Sequence, residues 1–208
     1  MLILDIIFYL AITFFSIVLL FFLFWKFWFL RDPRRRIPGG NSIVSPADGK
    51  INKIIKGYKK KEYINKGFMG KVNTLASDVS ESYYLINIVM TPLDVHVQRS
   101  PIKGEVIKKN YLKGKFNNAI RAGIAIENEK NEVLIQGDIR VKVIQIAGFL
   151  ARRIECFVGL NQKLNKGERI GLINLGSQVS VIVPSEVELS VKEGQRVCAG
   201  ETIIGRLK

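Results

Sequence analysis

Three short segments of this 208-residue chain hold side chains able to do chemistry: Ser45-Pro46-Ala47-Asp48-Gly49-Lys50, Thr91-Pro92-Leu93-Asp94-Val95-His96-Val97-Gln98-Arg99-Ser100-Pro101, and Leu175-Gly176-Ser177. Each is ordinary alone. Ser-Pro-Ala-Asp-Gly suits a turn, and Gly-Ser is a common loop pair. A serine hydroxyl is a weak nucleophile at neutral pH and needs an adjacent base. His96 is the one histidine in the chain, and an imidazole titrates in the range that such a task requires. Asp94 lies two residues before it, on the same face if the backbone is extended.

The elements that must carry these residues begin with an apolar stretch. Ile6 to Phe24 contains no charge, and fifteen of its nineteen residues are Ile, Leu, Val or Phe. As a helix it would be about 28 Å long, close to the ~30 Å hydrocarbon core of a bilayer. Trp25 and Trp28 stand where an interfacial aromatic belt belongs, with Lys26 able to snorkel between them. The run is too long for a signal peptide, and no small-residue cleavage site follows. Residues 1–30 are therefore expected to form a retained membrane anchor.

Arg31-Asp32-Pro33-Arg34-Arg35-Arg36 follows at once, and residues 31–41 read as a basic linker. By the positive-inside rule that end of the anchor faces the cytoplasm, so the catalytic side of a cell-membrane protein is expected there. The chain carries a formal charge of +14, which suits an anionic partner. With an anchor present, an anionic lipid surface is expected rather than nucleic acid. Cys156 and Cys198 would then lie in a reducing compartment, which argues against a disulfide. One histidine and no closely spaced cysteine pair argue against a zinc site.

Residues 42–208 read as a single, mainly β domain. Tyr83 to Val89, Gln178 to Val183, Val187 to Val191 and Thr202 to Leu207 are rich in strand formers and bounded by turn residues. Ile139 to Val143 alternates apolar and charged residues, as a half-buried strand does. No long helical period appears after Gly40. A weak repeat at an offset of 33 residues matches Gln162-Lys163-Leu164 to Gln195-Arg196-Val197, and Gly167-Glu168-Arg169-Ile170 to Gly200-Glu201-Thr202-Ile203. It suggests two similar hairpins packed face to face, a geometry that resembles the barrel-sandwich of biotinyl and lipoyl domains.

Taken together and in this order, the three segments resemble the phosphatidylserine decarboxylase family, in its short prokaryotic form. The resemblance extends to Trp28-Phe29-Leu30-Arg31-Asp32-Pro33, to Phe157-Val158-Gly159-Leu160 and to Lys166-Gly167-Glu168-Arg169-Ile170-Gly171, so it covers nearly the whole chain. It implies a pyruvoyl-dependent lyase that makes its cofactor by cutting itself between Gly176 and Ser177. Ser177 would attack the Gly176 carbonyl, and β-elimination would leave chains 1–176 and 177–208, which stay associated. Ser177 would become the pyruvoyl group, able to form a Schiff base with the substrate amine. His96 would serve as base, and Asp48 would orient its imidazole as in a serine triad. Asp94 competes with Asp48 for that part, and the residues alone do not choose between them.

Longer family members carry His-x-x-His in the second segment, whereas here the later position is Arg99. Its guanidinium could bind a substrate phosphate or carboxylate. The implied reaction turns phosphatidylserine into phosphatidylethanolamine in phospholipid biosynthesis. A serine lipid on an archaeal ether core would serve the same head-group chemistry. Self-association of the chain into a homo-oligomer is compatible with this reading. The rival reading is a non-enzymatic, membrane-anchored barrel-sandwich adaptor, which the arginine topology and the lack of a long helical hairpin disfavour.

Overall fold

The computed structural model describes residues 2–58, 61–65, 71–113, 129–148, 153–174 and 178–207, with backbone alone for residues 2, 61–65 and 71–75. The expected apolar run lies in helix α1 (Leu2–Leu23), which continues into a π-helical turn, Phe24–Phe29. The stretch Ile3–Phe29 is 27 residues long and apolar enough to cross a membrane. Its large side chains are exposed around the whole circumference as far as Leu23, so among the described residues no apolar face covers that helix.

All described regular structure beyond the helix is β, and the mainly β expectation holds. An eight-stranded antiparallel sheet is formed in the order β11 (Lys163–Leu164), β7 (Gly104–Leu112), β8 (Lys130–Gln136), β9 (Arg140–Ile146), β13 (Gln178–Pro184), β5 (Ser82–Val89), β2 (Gly49–Tyr58) and β15 (Arg196–Val197). It curls against two three-stranded sheets. One is β1 (Ser42–Val44), β16 (Ile203–Arg206), β14 (Glu188–Leu189). The other is β10 (Arg153–Cys156), β12 (Arg169–Asn174), β6 (Val97–Arg99). A separate hairpin joins β3 (Lys61–Asn65) and β4 (Lys71–Leu75). One core collects Ile88, Val143 and Val181 from the large sheet and Ile43, Ile173 and Ile204 from the small ones.

The other face of the large sheet is buried too, around Tyr83, Leu85, Ile144 and Ile182. This corrects the half-buried reading of Ile139 to Val143. From Val141 to Ile146 every residue of β9 is buried, and Lys142 is 1% exposed. Its charge is carried inside by Asp78, 2.5 Å away. A buried charge needs such a partner, and the alternation in sequence marks two buried faces of different polarity.

The sheet order reads the same from either end. Exchanging β11 with β15, β7 with β2, β8 with β5 and β9 with β13 maps the large sheet onto itself; the same exchange maps β10-β12-β6 onto β14-β16-β1. Hydrogen bonds obey the exchange. The Val44 amide donates to the Pro101 carbonyl at 3.0 Å and the Arg99 amide to the Pro46 carbonyl at 2.9 Å. The Ser45 and Ser100 hydroxyls each donate to the carbonyl two residues on, both at 2.7 Å.

The 33-residue repeat belongs to this symmetry, but its members are not hairpins. β11 and β15 complete the two ends of the large sheet, while β12 and β16 are the central strands of the two small ones. What meets is the pair of turns, Gly167 at φ +79° and Gly200 at φ +76°. Both lie so close to the Ile37 side chain that a Cβ at either would press on it. Only glycine combines that left-handed backbone with that closeness.

In chain order, one half (β6 to β12) is inserted into the other between β5 and β13. In the inserted half, Gln136 and Arg140 pair across a tight turn. At the equivalent place in the host half, Val89 pairs with Gln178, and the entire insertion separates them. The Thr91–Pro101 segment enters at this seam.

Candidate active site

The chain leaves β5 through a tight loop. The Asp94 amide donates to the Thr91 carbonyl at 2.9 Å, and Asp94 Oδ2 accepts from the Thr91 amide at 2.7 Å and hydroxyl at 2.8 Å. Such side-chain capping fixes a turn. It also commits the Asp94 carboxylate, whose other oxygen pairs with Arg196.

His96 follows, fully buried. Its Nδ1 lies 2.8 Å from the Asp94 main-chain carbonyl, which can only accept, so Nδ1 carries the proton and Nε2 presents a lone pair. That Nε2 is buried and has no hydrogen-bond partner among the described residues. The Phe29 ring packs on the imidazole with centroids 4.0 Å apart. Burial lowers the His96 pKa; the Asp94 carbonyl and the Asp94 charge oppose the shift, Arg31 adds to it, and Asp48 opposes it weakly. The imidazole is therefore neutral at neutral pH, with one free basic nitrogen. A buried polar atom without a partner is costly, and such atoms cluster at functional sites.

The backbone holds this residue to the strand that precedes the Gly-Ser pair. The His96 carbonyl accepts from Gln98 Nε2 at 2.7 Å and from the Ile173 amide at 3.3 Å. Gln98 continues into a buried amide chain, through Gln145 at 2.8 Å to Asn131 at 2.7 Å. Gly176 and Ser177 lie outside the described residues. The strands that flank them are β12, bonded to His96 through Ile173, and β13, whose first residue Gln178 pairs with Val89.

Asp48 lies in the turn before β2, and its charge reaches His96. Its carboxylate oxygens lie 2.9 and 3.0 Å from one Arg35 nitrogen, and Oδ1 accepts from the Ala199 amide at 2.7 Å. Neither the Asp48 nor the Asp94 carboxylate bonds the imidazole; the orienting acceptor is the Asp94 backbone carbonyl. Arg99 is 8% exposed and donates to the Gly167 carbonyl at 2.9 Å and to Asp32 at 2.5 Å. The second oxygen of Asp32 pairs with Arg169. Both terminal nitrogens of Arg99 thus have acceptors within the protein.

These contacts redraw the basic segment. Arg35 and Asp32 strap residues 31–37 to the domain, and Arg31 donates to the Leu93 carbonyl at 2.5 Å. Of the four arginines, Arg34 and Arg36 remain exposed. Phe29, Asp32 and Arg35 had no part in the site as read from sequence. Phe29 hid in an apolar run, and the two charges hid in what reads as a solvated cluster.

A buried imidazole with one unpartnered ring nitrogen thus lies at the seam of a duplicated β domain that follows an apolar helix. The family model for phosphatidylserine decarboxylase matches residues 22–205, and the chain belongs to that family of decarboxylases. A phosphatidylserine decarboxylase proenzyme of Chlorobium phaeobacteroides is 43% identical over 181 residues, covering 86% of this chain and 77% of the relative. One from Wolbachia pipientis is 40% identical over 183 residues, 86% of this chain and 74% of its own. A Methanocaldococcus jannaschii protein, provisionally named an archaetidylserine decarboxylase proenzyme, is 41% identical over 197 residues, 92% of this chain and 94% of its own. Family membership sets aside the non-enzymatic adaptor.

Proposed function

We propose that this chain is a proenzyme that cuts itself between Gly176 and Ser177 and then decarboxylates a serine phospholipid, giving the ethanolamine lipid and carbon dioxide. The observation that carries this reading is the buried, unpartnered Nε2 of His96, a residue whose backbone is bonded to β12, the strand that precedes the cut. Nε2 is the available acceptor for the Ser177 hydroxyl proton. The oxygen attacks the Gly176 carbonyl, the peptide C–N bond breaks, and the proton passes to the Ser177 nitrogen, leaving an ester. Loss of the Ser177 α-proton expels the Gly176 carboxylate. Water then replaces the nitrogen, releasing ammonia and leaving a pyruvoyl group at residue 177.

The residues present fit that group. It needs no separate binding pocket, because it is the first residue of the chain that continues into β13, anchored by buried Gln178 and Val179. Once formed, it supplies an electron sink for the carbanion left when carbon dioxide departs. His96, protonated at Nε2, would return a proton to that carbanion. Its Nδ1 bond to the Asp94 carbonyl keeps the same nitrogen presented throughout.

The apolar helix would span the membrane with the domain on the cytoplasmic side, as the arginines that follow it suggest. Exposed Arg34 and Arg36 would meet anionic head groups. Both phosphatidylserine and its archaeal ether counterpart present the same serine head group, and the names of the relatives support either. The test is full-length protein in detergent with phosphatidylserine micelles. Carbon dioxide and phosphatidylethanolamine should appear in equal amounts; a fully cut preparation that releases neither from either serine lipid contradicts the reading.

A further inference from the structure

The end of the apolar helix is built into the site. The Leu30 amide donates to the Trp25 carbonyl, five residues back, at 3.1 Å. This wide turn replaces the four-residue spacing of an α-helix, and π turns recur at functional sites. It places Trp25 and Phe29 in a stack, centroids 4.5 Å apart and planes 11° from parallel. Phe21 extends the stack into the apolar helix at 6.1 Å. Phe29 is fully buried, alone among the described large apolar residues of the helix and its π turn, and the far side of its ring meets His96. Arg31 then clamps the helix end to the His96 loop by bonding the Leu93 carbonyl, with its guanidinium over the Trp28 ring at 4.4 Å.

We propose that Phe29 is a positioning residue for self-cleavage: its ring, delivered by the π turn, holds the His96 imidazole with Nε2 dry and unpartnered, so the apolar helix acts on the reaction as well as tethering the domain. This rests on His96 being the base, as read above. The Nδ1 bond alone fixes one atom of the imidazole and leaves a rotation about it. A ring packed on its face removes that freedom. The charged groups acting on His96 are Asp94 from its own loop, Arg31 from beyond the helix and Asp48 from the turn before β2. Phe29 contributes no charge and excludes water.

The test uses Phe29→Leu in the full chain, with cutting followed during cell-free synthesis into detergent. Leucine keeps the site apolar but loses the flat face. The proposal predicts cutting slowed at least about tenfold, the scale on which small misplacements act. Because the chain has one histidine, its imidazole proton resonances can be followed without ambiguity in the uncut Ser177→Ala background. There Phe29→Leu should abolish the upfield ring-current shift and raise the titration midpoint, with a cooperative melt retained. If Phe29→Leu does not melt cooperatively, Phe29→Met replaces it with the same expectation. Cutting within twofold of the parent, or an unchanged imidazole signal, overturns the proposal. His96→Ala separates the two ideas. If it cuts at the parental rate, the base assignment fails; if it stays uncut while Phe29→Leu cuts normally, only the role of Phe29 fails.

Discussion

One terminal nitrogen of Arg35 lies between the two carboxylate oxygens of Asp48, at 2.9 and 3.0 Å, with the arginine side chain 7% and the aspartate 13% exposed. The pair joins the segment that leaves the apolar helix to the Ser-Pro-Ala-Asp-Gly turn. Two positions before Asp48's partner along the same strap, Pro33 and its neighbour Asp32 reach Arg99 in the Thr91–Pro101 segment. Two of the three motifs are therefore clamped by residues 31–37.

Removing Arg35 should leave a largely buried carboxylate without its cation. Breaking a buried pair from one side typically costs about 3–5 kcal/mol, and the residual exposure of Asp48 argues for the lower end. Arg35→Ala in the uncut Ser177→Ala background is expected to lose about 2–3 kcal/mol in urea unfolding. Arg35→Ala with Asp48→Asn should recover part of that loss, because the orphaned charge is gone.

Arg99 has both terminal nitrogens occupied inside the protein, so its replacement should act on stability before substrate. Arg99→Lys cannot reach the Gly167 carbonyl and Asp32 together. The expected outcome is a loss of about 1–3 kcal/mol with KM for the lipid within about twofold. A KM raised tenfold at unchanged stability would instead mean that Arg99 meets the substrate.

His96 sets a pH dependence with a definite sign. Its folded pKa lies below the ordinary histidine value of about 6.5, because burial disfavours the cation. Between the two values the unfolded chain binds more protons than the folded one, so stability falls as pH drops. The unfolding free energy of the Ser177→Ala protein should decline from about pH 6.5 downward until the folded pKa is passed. His96→Gln should flatten that part of the profile. Self-cleavage should slow over the acid side of the same range as Nε2 takes up its proton.

Gly49 follows Asp48 at φ +144°, and a Cβ there would lie 2.4 Å from the Val89 carbonyl oxygen. Both the backbone and the space exclude a side chain. Gly49→Ala should cost about 2 kcal/mol or more and, by pushing the end of β5 at the seam, slow cutting as well. Equal stability and cutting in Gly49→Ala and the parent would contradict this.

The apolar helix, the mainly β domain and its strands at Tyr83 to Val89 and Gln178 to Val183 were legible because composition and turn residues mark them locally. The duplication was legible only at its 33-residue offset. Its larger part, Ser45-Pro46-x-x-Gly49 against Ser100-Pro101-x-x-Gly104, is masked by what differs between the copies: Asp48 is held by Arg35, while Lys103 at the matching place is exposed. The Val187 to Val191 stretch is regular strand only at Glu188–Leu189, a short edge strand that strand-forming residues alone do not delimit. At the site, residue type pointed to His96 as the base. It could not show that a backbone carbonyl, rather than Asp48 or Asp94, sets the tautomer, because any residue supplies that group. Phe29 was unreadable for a related reason: one aromatic in an apolar run looks like its neighbours until a π turn gives it a different destination.

The most direct test of the central claim is the intact mass of the purified full-length protein. Self-cleavage predicts two chains, residues 1–176 and 177–208, with the second lighter by one ammonia than a serine-started chain and closed to Edman degradation. Ser177→Ala should give one uncut, inactive polypeptide. A single uncut wild-type chain that still decarboxylates phosphatidylserine would rule out self-cleavage as the source of the cofactor.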